Sequence, residues 1–135
     1  EGTLSEIERA KKEAEVLNDM PNSFPKALCY AMKLSGCTKE ALAFESKVSE
    51  STIGRYRTGK VKHYSEKNIV ALCVAMHLPP WLSFSFIEKA GFALAKTEEQ
   101  QAFMTVLNCI YMKSVDEVDE YLKARGNEPL VQVAA

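Results

Sequence analysis

Five cations stand close together in the middle of the chain. Between Ser46 and His63 the sequence carries Lys47, Arg55, Arg57, Lys60 and Lys62 against one acid, Glu50, a local charge of +4 by subtraction. Side chains of this kind hold anions. Arginine offers a planar fork of donors that matches two acceptors at once, and lysine offers a mobile point charge. A strip of them suits a polyanion, although a charge run by itself is usually only a solvated surface. The chain as a whole carries a formal charge of −1, so any such attraction belongs to this strip. From Thr97 to Leu122 the balance reverses: Glu98, Glu99, Asp116, Glu117, Asp119 and Glu120 stand against Lys113, giving −5. That stretch reads as solvated surface facing away from any bound anion.

Other chemistry is hard to assemble. The sequence has no phosphate-cradling glycine loop, no H-E-x-x-H and no G-x-S-x-G. His63 and His77 are isolated on separate segments, a poor basis for acid–base catalysis or metal binding. Cys29, Cys37, Cys73 and Cys109 form no C-x-x-C pair. Cys29, Cys73 and Cys109 lie among apolar residues at helical spacing, which predicts small buried hydrophobes. The expectation is a chain that is not an enzyme and takes no cofactor or metal. Free cysteines without a targeting pattern predict a reducing cytoplasm. No apolar run reaches the length of a membrane span, and the longest, Ile69 to Leu78, reads as a buried helix. The chain opens Glu1-Gly2-Thr3 without a methionine, which predicts a piece of a longer protein.

The elements that must carry the cations can be read from their caps. Thr38 and Ser49 each suit the N-cap of a short helix, and Gly59 suits the C-terminal stop of the second. Only Ser46, Lys47 and Val48 lie between the two helices, enough for a sharp corner. Leu42, Ala43, Val48 and Ile53 fall where crossing helices would bury them. This is the layout of a helix-turn-helix, whose second helix enters the DNA major groove.

The segment from Thr38 to Gly59 resembles the phage-repressor and Cro-like (XRE-type) helix-turn-helix family. The family pattern T-x-x-x-L-A-x-x-x-G-V-S-x-x-T-I-x-x-x-x-x-G is met without a gap by Thr38, Leu42, Ala43, Val48, Ser49, Thr52, Ile53 and Gly59. Lys47 departs from it, standing where the family has a left-handed glycine, at a cost of roughly 1 kcal/mol. Gly54, inside the second helix, weakens it by about 1 kcal/mol relative to alanine. It signals either a close backbone approach by a partner or relief of crowding.

The resemblance implies double-stranded DNA as partner and a transcriptional regulator of bacterial or phage type, or the DNA-binding module of a larger protein. It places Glu50, Ser51 and Arg55 at base edges, with Arg55 suited to guanine O6 and N7 and Glu50 also able to stay solvated. Thr38, Ser49, Thr52, Lys60 and Lys62 would hold phosphates. Arg57 stands where the family often has an acid. Tyr56 is expected to pack inside.

At 135 residues with 47% hydrophobic residues, the chain is long enough for one all-α domain with appended elements. Residues 1–21 read as a linker or packing helix, with Leu4, Ile7, Ala10, Ala14 and Leu17 on one side; either it lies against the domain or it makes a homodimer. Residues 22–94 read as a repressor-like five-helix bundle containing the helix-turn-helix. There Asn22 or Ser23 caps a helix with Pro25 in its first turn, and Ser65 caps another that ends before Pro79. Residues 95–126 read as a helical hairpin opened by two capping boxes, Thr97 with Gln100 and Ser114 with Glu117. It either packs back or forms a dimer interface. Residues 127–135 read as a loose tail. The rival functional reading is a protein-interaction scaffold that uses the N-terminal helix or the aromatic residues Trp81, Phe84, Phe86, Phe92 and Phe103 to bind a partner chain. A regulator of antitoxin type, binding both DNA and a protein, would combine the two.

Overall fold

The computed structural model describes residues 3–94 and 97–131, and these form eight helices. They are α1 (Thr3–Asp19), α2 (Phe24–Ser35), α3 (Lys39–Ser46), α4 (Glu50–Thr58), α5 (Glu66–Ala75), α6 (Pro80–Lys89), α7 (Glu98–Cys109) and α8 (Val115–Arg125). The fold is all-helical, and no strand occurs among the described residues. No helix is long and apolar enough to cross a membrane among the described residues.

Local chemistry sets most helix ends. The hydroxyls of Thr38, Ser49, Ser65, Thr97 and Ser114 each accept the backbone N–H three residues on, satisfying one of the donors a helix start leaves unpaired. Ser23 precedes α2 in extended conformation but makes no such bond; Pro25 in the first turn needs no donor there. Gly36, Gly59 and Gly126 end α2, α4 and α8 in the left-handed conformation. The Ser114–Glu117 capping box is complete. The one expected at Thr97 is only half made: the Gln100 side chain reaches instead across to Glu66 on α5, donating Nε2–H at 3.3 Å.

The core is organised around α5. Six consecutive residues, Ile69 to Val74, are all buried, as in a helix surrounded on every side. The helices α3, α6, α7 and α8 all pack on it, while α2 lies across α4 and α6. The hairpin's apolar stripe (Phe103, Val106, Leu107, Val118, Leu122) is thus buried against the chain's own core. The aromatic surface of the scaffold reading is largely spent in the same way. Phe86 and Phe103 are fully buried, and Trp81, Phe84 and Phe92 pack half-buried against the core.

Three expectations need correction. The first part of the tail is held rather than loose. Leu130 is 2% exposed, and Leu130 and Val131 donate their N–H groups to the Asp119 carboxylate at 2.6 and 3.4 Å; residues 132–135 lie outside the described ones. Cys109 is exposed and Cys29 half-buried, leaving Cys73 as the buried cysteine of the expected three. Gly54 does not relieve crowding, because a Cβ added there would meet nothing within 4 Å.

The glycines of α4 therefore predict opposite effects. A Cβ on Gly59, at φ +77°, would lie 3.2 Å from Pro25 Cγ. Gly59→Ala is expected to destabilise by roughly 1–2 kcal/mol, and Gly54→Ala to stabilise by about 0.5–1 kcal/mol. Urea unfolding midpoints measure both, and equal midpoints would contradict this account.

Candidate nucleic-acid interface

The corner before α4 is built by two residues. Lys47 takes the left-handed conformation at φ +65° and donates its N–H to the Ala43 carbonyl, closing α3. Ser46, fully buried, turns its hydroxyl to accept the Val48 N–H at 3.1 Å. A non-glycine residue thus occupies the strained position, and its long side chain lies over the Phe44 ring, Nζ 5.4 Å from the centroid. That contact offsets part of the backbone cost. Leu42, Val48 and Ile53 are buried behind the corner, which leaves the opposite side of α4 to solvent.

On α4 four of the expected residues form one polar chain. Ser49 Oγ accepts the Thr52 N–H at 3.1 Å and donates to Thr52 Oγ1 at 2.9 Å. Arg55 donates to Ser51 Oγ at 2.8 Å and to Thr52 Oγ1 at 3.3 Å. The guanidinium is laid along its own helix, held one turn back by two hydroxyls. The i, i+3 and i, i+4 spacing makes these contacts geometrically ready. Thr52, read from the sequence only as a phosphate ligand, is the hub that joins Ser49 to Arg55. Glu50 is the first residue of α4 and exposed. Its N–H and that of Ser51 belong to the first turn of the helix, where backbone donors have no partner within the helix.

The remaining site residues stand outside that chain. Thr38 opens α3 and its hydroxyl accepts the Ala41 N–H at 3.1 Å; no hydrogen bond joins it to the α4 cluster. Lys60 and Lys62 lie in the loop after Gly59, both exposed. Lys60 is anchored through its backbone, whose N–H donates to the Arg55 carbonyl at 3.0 Å.

The loop bearing these lysines is positioned by aromatic rings. Tyr56, 3% exposed, packs edge-on against Tyr64 at 5.0 Å and Phe24 at 6.1 Å. Its hydroxyl accepts the Ser65 N–H at 3.1 Å and an Asn68 side-chain N–H at 3.3 Å. This ties the end of α4 to the start of α5, with residues 60–64 strung between. Burial, and then Tyr56 alongside, push the Tyr64 hydroxyl above the usual tyrosine range. The sequence predicts that Tyr56 packs inside; its link to Ser65 and Asn68 carries no sequence signal.

The density of positive charge marks this face. Among the described residues, ion pairs involve Lys67 (with Glu99 and Glu128) and Arg125 (with Glu98). Lys47, Arg55, Arg57, Lys60 and Lys62 are all exposed and have no ionic partner among the described residues.

Comparison with protein-family models, with curated proteins and with solved structures finds no match. The site must therefore be read from its own chemistry. Among the described residues no group of three or more His, Cys, Asp and Glu side chains could hold a metal ion. Burial pushes the Cys73 thiol up to about 12, so it stays protonated and unreactive at neutral pH.

Two outcomes follow from this geometry. Tyr56→Phe keeps the ring but leaves the Ser65 N–H without its acceptor, and is expected to cost about 1–2 kcal/mol in thermal or urea unfolding. An unchanged midpoint would mean that water replaces the hydroxyl at no cost. In the native chain a thiol-specific disulfide reagent should label Cys109 rapidly and Cys73 only after unfolding; mass mapping of early-labelled native protein distinguishes them.

Proposed function

We propose that the chain binds double-stranded DNA through a repressor-like helix-turn-helix formed by α3 and α4, with α4 in the major groove, as a transcriptional regulator or the DNA-binding module of one. One observation carries this reading: five exposed cations of the chain's middle gather on α4, the corner before it and the loop after it, with Glu50 the single acid between Ser46 and His63. Exposed cations clustered around one motif are the electrostatic footprint of a phosphate-binding face. The residues of the XRE-type pattern support it through the work they do. Thr38 and Ser49 cap, Leu42, Val48 and Ile53 are buried behind the corner, and Gly59 closes α4 in the left-handed conformation.

In this reading Arg55 is the principal base reader. Ser51 and Thr52 restrict its rotamers before DNA arrives, which lowers the entropy lost when the guanidinium engages guanine O6 and N7. Ser51 then exchanges that bond for a base or phosphate contact. Ser49 and Thr52, with the first N–H groups of α4, and Thr38 at the start of α3 meet phosphates, and Lys60 and Lys62 extend the backbone track. Glu50, at the helix start, either accepts from a cytosine amino group or stays solvated. Gly54 leaves open space on the exposed side of α4, consistent with close approach by a partner.

Fluorescence anisotropy of a labelled duplex at several salt concentrations tests the proposal. Log K should fall with log salt at a slope of about −3 to −5, for roughly four to five neutralised phosphates. Lys60→Ala/Lys62→Ala should flatten the slope for any sequence. Arg55→Ala should cost about 1–3 kcal/mol on a selected site and much less on random duplex. Absence of binding at low salt, or a double variant with an unchanged slope, would rule out this face.

A further inference from the structure

The N-terminal helix faces the body with the opposite side from the one its sequence would suggest. Ile7, Ala10, Ala14 and Leu17 recur at intervals of three, four and three, the spacing of a coiled-coil seam. Yet α1 meets the body through Val16, half-buried, and by way of the turn after it through Met20, 4% exposed. At about 100° per residue, the seam's centre lies roughly 140° around the helix from Val16. Ile7 is accordingly 45% exposed and Leu17 40%, and Ala10 and Ala14 are exposed beside them. The side turned to the body is polar. Arg9, Lys12 and Glu13 border an open groove of about 620 Å³ shared with Trp81 and Tyr111. A 17-residue helix thus keeps an apolar stripe in water and places charges against its own domain.

We propose that this stripe is a homodimer interface: α1 pairs in parallel, in register, with α1 of a second copy. The charges beside the seam choose both the occupant and its direction. Glu6 and Glu13 lie on one flank, and Lys11 and Asn18 on the other. In a parallel pair Glu6 faces the partner's Lys11, twice by two-fold symmetry, and Glu13 faces the neutral Asn18 of the other copy. In an antiparallel pair the two acidic flanks meet, setting Glu6 against Glu13. Neither Glu6 nor Lys11 has an ionic partner among the described residues. Ala10 and Ala14 at the centre let the two backbones approach closely, while Ile7 and Leu17 supply the bulk at each end. The pairing surface stands on an element separate from α4, so the inference does not depend on DNA binding.

Sedimentation velocity on the whole chain tests it. The average mass should rise from 15.1 kDa toward twice that value as concentration increases. Ile7→Glu/Leu17→Glu should hold the monomer mass, with an unfolding midpoint equal to that of the native chain measured dilute enough to be monomeric, because both side chains are exposed there. Lys11→Glu should weaken pairing by about tenfold, as two attractive pairs become repulsive, and adding Glu6→Lys should restore it. A monomer at every concentration, or association that survives the double apolar substitution, would overturn the interface. Association that Lys11→Glu leaves unchanged or strengthens would overturn the parallel pairing.

Discussion

The presentation of α4 depends on one buried ring. Phe24, 2% exposed, sits at the start of α2 and packs against Tyr64, Phe86 and Tyr56 with ring centroids 4.5, 4.7 and 6.1 Å away. Those contacts join α2, α4, the loop before α5, and α6 at a single point. Pro25, the next residue, abuts Gly59 closely enough that no side chain fits there without strain. The position of the α4 C-terminus is therefore fixed by two consecutive residues of another helix. The hydroxyl of Tyr56 carries that constraint on to α5. Aromatic pairs of this kind contribute about 0.5–1.5 kcal/mol beyond their buried area, and here they share one centre, so loss of any one ring loosens the others.

Much of this was legible in the sequence, because capping is local chemistry. A hydroxyl followed three residues later by a free N–H needs no knowledge of the rest of the fold, so Thr38, Ser49, Ser65, Thr97 and Ser114 read correctly. The all-apolar run of α5 was legible for the same kind of reason: no amphipathic stripe means no exposed side. Of the site, the cap Ser49 and the cations could be picked out by residue type and spacing, although no independent likeness to other proteins bears on their roles. Periodicity identifies a stripe but not what covers it. The stripe of α1 and the stripe of α7 look alike in sequence; one faces water and the other is buried against α5 and α6. The tail was opaque because a single leucine between Pro129 and Val131 has no period at all. Its burial depends on Asp119, eleven residues earlier, accepting two backbone N–H groups. Burial holds that carboxyl above the usual carboxylate range despite those two bonds.

The charge distribution has a structural counterpart. Acids after Thr97 are used inside the fold: Glu98 holds Arg125 and Asn127, and Glu99 and Glu128 converge on Lys67. Glu117 closes its own helix start, and the bonds from Ser114 hold its carboxyl below the usual range. The cations near α4 hold no carboxylate among the described residues; Lys47 lies over Phe44 and Arg55 bonds to the Ser51 and Thr52 hydroxyls. A surface cation without an ionic partner contributes little to folding, so Arg57, Lys60 and Lys62 carry their charge at almost no benefit to stability.

The central position of α5 gives the chain a mechanical unity that its composition hides. Sequence composition suggests a break near residue 95, with a basic bundle before it and an acidic hairpin after it. But α7 and α8 close over the same helix that α3 and α6 close over, so the two halves share one central helix. To uncover α5 completely is to lose packing from both halves. The slowest amides to exchange with solvent would then lie in α5, and truncation before Leu130 would be felt directly in the corner that carries α4, because Leu130 and Val131 line one small pocket with Ser46, Val48, Ser49 and Thr52.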